Sequence, residues 1–304
     1  MFDISLENEQ GSLVNINDTI RYEVIEIEGL NPPSATLYTS KSPNKKGAKY
    51  NGSSLDVRNV IIYIKILGDV ESNRNHLYSW ADSESYCKIR FKSNLKNIYC
   101  EGYVTECPVD IFSDNEVMSL AVQCPDPYLK DLQDIVSEIS KISKGFTFPF
   151  SIEQKEMVAY STTLPNGEVV SGMFNRGIPF STIKGSIETT IYNAGAPTGM
   201  VINVICKEAV SNLLIYDGKN VSRKIEFKYE FPKGCSIMID TDASPKIARA
   251  VLEDGTKVNL MKHIVGNVTW LTLKKGHNSI GHRSDSDYSA YTLTVSHTNK
   301  YLGI

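Results

Sequence analysis

From Lys224 to Phe231 polarity alternates strictly: Ile225, Phe227, Tyr229 and Phe231 are separated by Lys224, Glu226, Lys228 and Glu230. Successive side chains of a strand point to opposite faces, so the run predicts a strand with one wet and one buried face. Shorter runs of the same kind occur at Cys87–Phe91, Ile187–Ile191, Ile237–Ile239 and Tyr291–Val295. Val60–Leu67 is instead apolar at every position except Lys65. Its β-branched content predicts a strand covered on both sides and central in the first half of the chain. Between such runs, Pro165-Asn166-Gly167 and Asp254-Gly255 supply residues that tolerate positive φ, and both predict hairpin tips.

Two segments depart from the β pattern. Around Ser72–Asp82, Ser72 can cap a short helix whose Leu77, Tyr78 and Trp80 form a partial apolar stripe. From Pro127, with Asp126 as N-cap, Leu129, Leu132, Val136, Ile139 and Ile142 recur at helical spacing until Gly145, and Pro149 forbids continuation. The stretch Asn31–Ser54, with Pro32, Pro33, Pro43, Gly47 and Gly52 beside Lys41, Lys45, Lys46 and Lys49, is too long for a routine turn. It reads either as a solvated surface loop or as an arm that orders against a neighbouring subunit.

Length changes the picture next. A chain of 304 residues exceeds what one core usually supports, so two are expected. The expected division is residues 1–130, a helical connector at 131–149, and residues 150–304. A hydrophobic fraction of 41% and a charged fraction of 22% are those of a folded globular protein. A net charge of -3 and a pI near 6.0 provide no positive field to hold a polyanion, so nucleic acid is not expected as a tight ligand. Met1–Gln10, with Asp3, Glu7 and Glu9, lacks the basic start and apolar core of a signal peptide. No apolar stretch approaches the roughly 20 residues that cross a bilayer, so no membrane span is expected.

Candidate chemistry is sparse. Cys87, Cys100, Cys107, Cys124, Cys206 and Cys235 sit mostly in alternating segments and read as small buried strand residues, and no two are as close as a Cys-x2-Cys zinc pair. Neither a metal nor a disulfide is expected. His76, His263, His277, His282 and His297 match no metal-ligand spacing. His282-Arg283-Ser284-Asp285-Ser286-Asp287 contains the letters of a hydrolase triad but reads as a polar loop, because triad members normally come from separate elements. Asp240-Thr241-Asp242 reads as a strand end entering a turn rather than as a cation site. With no glycine-rich phosphate loop and no nucleophile elbow, no catalytic, cofactor or metal residue is nominated and the chain is expected not to be an enzyme.

Short motifs nevertheless recur in a suggestive order. They are Gly29-Leu30-Asn31-Pro32-Pro33, Gly52 to Arg58, Arg74 with Leu77-Tyr78, and Cys124-Pro125-Asp126-Pro127-Tyr128. In the second half come Asn193-Ala194-Gly195, Pro197-Thr198, Ile237 to Thr241, Leu273 to Ile280, and Tyr301-Leu302-Gly303-Ile304. In this order the chain resembles the distal tail protein family of long-tailed bacteriophages, also named phage tail family proteins. The resemblance implies a mainly β protein of two domains. The first would be a tail-tube-like β-sandwich or split barrel with one short helix, and the second a galectin-like β-sandwich, joined by a helix.

It further implies a virion role at the distal end of the tail, with six copies forming a ring. Partners would be the tail tube protein, the tail tip hub and receptor-binding or other adsorption proteins, with DNA passing through the lumen without specific binding. Asn31–Ser54 would be a candidate subunit-clasping arm. The galectin spacing of His-x-Asn-x-Arg followed by tryptophan is absent, since His277-Asn278 and Arg283 are placed otherwise and Trp270 precedes them. Two other readings stay open: a baseplate ring protein of a contractile tail or phage-derived bacteriocin, and a cell-wall carbohydrate-binding protein.

Overall fold

A computed structural model describes residues 3–43, 46–113, 115–139, 157–163, 169–175 and 187–304. The first half is built from β1 (Asp3–Glu7), β2 (Leu13–Asn15), β3 (Tyr22–Glu28), β4 (Ala35–Ser40), β5 (Lys49–Leu55), β6 (Arg58–Ile66), α1 (Val70–Trp80), β7 (Tyr86–Lys92), β8 (Asn97–Glu106), β9 (Val117–Cys124) and β10 (Leu129–Asp131). β11 (Ile135–Glu138), β12 (Met157–Thr163), β13 (Val169–Asn175), β14 (Ile187–Asn193), β15 (Val201–Cys206), β16 (Val210–Ser211), β17 (Leu214–Asp217) and β18 (Asn220–Glu226) follow. The chain continues through β19 (Glu230–Phe231), β20 (Ser236–Asp240), β21 (Ile247–Val251), β22 (Lys257–Asn259), β23 (Gly276–Arg283), β24 (Tyr291–His297) and β25 (Lys300–Tyr301).

The expected mainly β, two-core architecture is what forms. In the first half one sheet runs in the order β2-β1-β7-β8-β9-β6-β3, and β10 adds to β8 and carries β25. One face of this sheet is buried around Ile4, Ile62, Ile64, Ile89, Phe91, Leu120 and Leu77 of the helix. In the second half a six-stranded sheet, β11-β24-β15-β20-β21-β22, packs against a four-stranded sheet, β14-β23-β17-β18. Ile202, Ile237 and Leu293 from the first sheet share a core with Ile191, Ile215, Ile225 and Ile280 from the second, which makes this half a β-sandwich.

Local sequence explains most elements. The alternating runs at Cys87–Phe91, Ile237–Ile239 and Tyr291–Val295 are strands with every second residue buried. Ile187–Ile191 lies in β14. The run from Lys224 keeps its alternation of burial but not its strand: pairing stops at Glu226 and resumes at Glu230, with Phe227 bridging to Ile264 between them. Asp254-Gly255 is the expected tip between β21 and β22, with Gly255 at φ +83°. The Pro165-Asn166-Gly167 tip lies outside the described residues, although the flanking β12 and β13 pair from Thr163↔Val169 outward.

Three expectations are corrected. The short helix exists, but Asp69 caps it by accepting from Ser72 N; Ser72 is inside the first turn. Residues 127–139 are not a helix: Leu129–Asp131 pairs with β8 and β25, and Ile135–Glu138 pairs with β24. Leu129 enters the first core, Ile139 the second, and Val136 is 67% exposed, so the apolar spacing serves two cores rather than one helix face. The rest of the expected connector, including Ile142, Gly145 and Pro149, lies outside the described residues. Finally, β6 is an interior strand between β9 and β3, but it is covered on one face only; Ile61, Tyr63 and Lys65 on the other face are half-buried.

Burial of His282 gives the fold a pH dependence. The ring is buried, its Nδ1 lies 2.8 Å from Tyr291 Oη, and desolvation pushes its pKa down to about 4 from 6.5. Unfolding restores the ordinary value, so the contribution of a neutral His282 is complete above pH 6.5 and is lost as pH falls towards 4. Chemical denaturation at stepped pH should show a loss of about 3 kcal/mol across that window, at 1.36 kcal/mol per unit. In His282→Gln the fall should be distinctly smaller; an unchanged fall would contradict the assignment.

Candidate functional site

The polar residues weighed in the sequence and set aside as chemistry are engaged in local structure. Of the polar loop after β23, Ser284 donates to Ser286 O, Asp285 accepts from Asn212, and Asp287 caps the following turn of helix by accepting from Ser289 N. His282 points into the core rather than toward those serines. Asp240 ends β20 and folds the next turn by accepting from Asp242 N and Ala243 N. His76 contacts the buried Tyr22 hydroxyl at 2.9 Å. His263 lies against Tyr229, and His277 against Tyr192. Among the described residues no three His, Cys, Asp or Glu side chains are grouped to hold a metal. The cysteines are free thiols, and all but Cys107 are buried.

The geometry instead gathers several of the ordered motifs into one place. Arg58, at the start of β6, is 1% exposed. Its Nε donates to Pro127 O at 2.8 Å and its Nη2 to Leu302 O at 2.7 Å. Nη1 donates to Gly29 O, and to Asn31 O at 3.0 Å. Three stretches of chain, at residues 29–31, 127 and 302, therefore converge on one guanidinium, the last 244 residues beyond Arg58, and its planar fork of fixed donors suits several carbonyls at once. Gly29, at φ +85°, is required here because a Cβ would stand 1.9 Å from Asn59 O.

Around this centre residues 299–301 bind both halves of the molecule. Asn299 Nδ2 donates to Asp131 Oδ2 at 2.8 Å, while its Oδ1 accepts from Ala194 N at 3.1 Å. Lys300 pairs with Lys130 in the first sheet and forms a 2.8 Å ion pair with Asp242 of the second half. Burial raises the Asp242 carboxyl pKa, but Lys300 and the amide of Gly199 outweigh it and hold the group below its ordinary value. Gly195 is fixed by the same strap, since a Cβ would meet Lys300 O at 2.4 Å. Lys130, held charged between Glu101 and Asp126 despite burial, anchors the strap's partner strand.

The sequence holds these motifs without showing that they touch, and Asn299, Lys300 and Asp131 lie outside any motif read from it. Neither the clasp nor the strap has a local signal, because Arg58 and its acceptors lie far apart along the chain.

A second group of features faces outward. The Asn31–Ser54 stretch contains the β4–β5 hairpin, which pairs with no other strand among the described residues and exposes every residue of β4. Leu37 and Tyr50 on it are 62% and 61% exposed. At the ends of the main sheet, β2 and β3 are edges with no further strand among the described residues, and Ile25 stands exposed at a bulge in β3. Exposed apolar strands of this kind are ready templates for another chain.

The architecture is that of a two-domain, mainly β protein. Over 98% of this chain and 99% of the other, it matches the Dit protein of phage SPP1, described as a paradigm of the hub adsorption apparatus in phages infecting Gram-positive bacteria, with TM-score 0.64 and 13% identity. At that identity the match establishes a shared fold. The phage P2 baseplate in its activated conformation with calcium also aligns over 100% of both chains, at 10% identity and TM-score 0.48. No family model and no curated protein matches the sequence.

Removing the clasp tests its weight. Arg58→Met leaves several buried carbonyls without their donor and should cost roughly 3–5 kcal/mol in equilibrium unfolding, the range for breaking buried charged networks. A loss below about 1 kcal/mol, ordinary for a surface site, would show that the guanidinium does not organise the fold.

Proposed function

We propose that this chain is a structural ring component of the distal end of a bacteriophage tail, placed between the tail tube and the tip hub. The observation that carries the reading is the whole-length correspondence of fold with the SPP1 Dit protein, both halves included. The first half forms the ring, of six copies as in the family that the sequence resembles. The sandwich half points outward and anchors adsorption proteins. The chain is assembled in the host cytoplasm and belongs to the virion, and no helix among the described residues is long and apolar enough to cross a membrane.

Physical features support an assembly role over catalysis. The outward-facing hairpin and open edges lie on the first half, where a heterologous contact that closes on itself would cover them. A two-stranded hairpin has marginal stability alone, so one with every β4 residue exposed gains from docking on a neighbour. A net charge of -3 suits a lumen through which DNA slides without being held. Against a glycan-binding role, Trp270 packs against the sandwich core, and Asn278 is engaged with Lys274 and Gly276 in its own turn.

Sedimentation separates the alternatives. The full chain should sediment as a closed oligomer. A variant with residues 34–56 replaced by a short glycine linker should sediment as a monomer with unchanged circular dichroism. Oligomers of native size and stability in that variant would remove the hairpin from the interface.

A further inference from the structure

The hairpin carries an unusual charge distribution. From Asn31 to Leu55 the sequence has Lys41, Lys45, Lys46 and Lys49 and no Asp or Glu. Lys41, Lys46 and Lys49 are exposed, and none of the ion pairs among the described residues involves them. Leu37, Tyr38 and Tyr50 are also exposed, so the hairpin presents an apolar body with a cationic end.

Elsewhere on the same half lies a cleft of about 500 Å3 with the opposite character. It is formed where the β1–β2 turn, the end of α1 and the starts of β7 and the β8 bend meet. Trp80, Tyr86 and Tyr103 supply aromatic surface, with the Tyr86 and Tyr103 rings edge to face at 6.2 Å. Glu9, Asp82 and Glu84 stand exposed around it, and no lysine or arginine lines it. Glu84 is held at φ +71°, a left-handed conformation that costs a non-glycine residue about 1 kcal/mol or more, with its amide donating to Val104 O at 2.9 Å. Aromatic faces bordered by carboxylates bind ammonium groups through both cation–π and charge attraction.

We propose that the β4–β5 hairpin of one copy seats its lysines in the Trp80–Tyr86–Tyr103 cleft of the next copy in the ring. This rests on the ring reading above and adds the receiving surface. Hairpin and cleft are different patches of one chain, so the contact is heterologous and propagates round an axis until it closes. Because the paired charges are exposed, the contact is weakened by salt.

Reciprocal charge reversal tests it with two folded variants. One carries Lys41→Glu, Lys46→Glu and Lys49→Glu; the other carries Glu9→Lys, Asp82→Lys and Glu84→Lys. All six positions are exposed, so circular dichroism and thermal midpoints should stay near native. Each variant alone should assemble roughly tenfold or more weakly than the native chain by sedimentation, since like charges now oppose each other at the contact. An equimolar mixture should recover rings of alternating composition, because each hairpin then meets a cleft of opposite charge. Rings of native stability from either single variant, or no recovery on mixing, would overturn the proposal while leaving the ring intact for the native chain. A native chain that never assembles would overturn the ring reading itself.

Discussion

A guanidinium removed from water must find acceptors for its donors, and this requirement at Arg58 orders the molecule. Its acceptors are backbone carbonyls from residues 29, 31, 127 and 302, none of them in a regular ladder bond within the main sheet. Satisfying it fixes the exit of β3, the approach to β10 and the return of the chain after β24. The strap at Asn299 and Lys300 can then hold Asp131 of one half and Ala194 and Asp242 of the other.

How much of this is legible in sequence follows from the range of the interactions. Strands whose burial alternates, such as Cys87–Phe91 and Tyr291–Val295, are written in consecutive residues and are read directly. The segment after Pro127 misleads because its spacing of apolar residues fits a helix while its backbone is claimed by β8, β25 and β24, partners at distant positions. Long-range pairing overrides local propensity here. Likewise the one-sided cover of β6 cannot be seen from its own residues, since Ile61 and Tyr63 are apolar enough to be buried and are left half-covered.

The assembly features divide the same way. The hairpin is legible as an over-long, lysine-rich stretch with prolines and glycines, but a surface loop and an inter-subunit arm differ only in what lies outside one chain. The cleft is invisible in the sequence, because Glu9, the stretch from Trp80 to Tyr86, and Tyr103 come from three separate segments. The motifs Gly29-Leu30-Asn31, Cys124 to Tyr128 and Tyr301 to Ile304 had pointed to a family, and the structure supplies their physical reason: they are the acceptors and neighbours of one buried charge. Among the described residues the sheet edges at β2 and β3 are left without a partner strand.

The account stands on those edges being completed by further copies of the same chain. Electron microscopy of the purified full-length protein measures this directly. Closed annuli of rotationally related copies, with the sandwich halves at the periphery, are the predicted image. Single particles of one chain at every concentration, together with absence of the protein from purified tails, would contradict it.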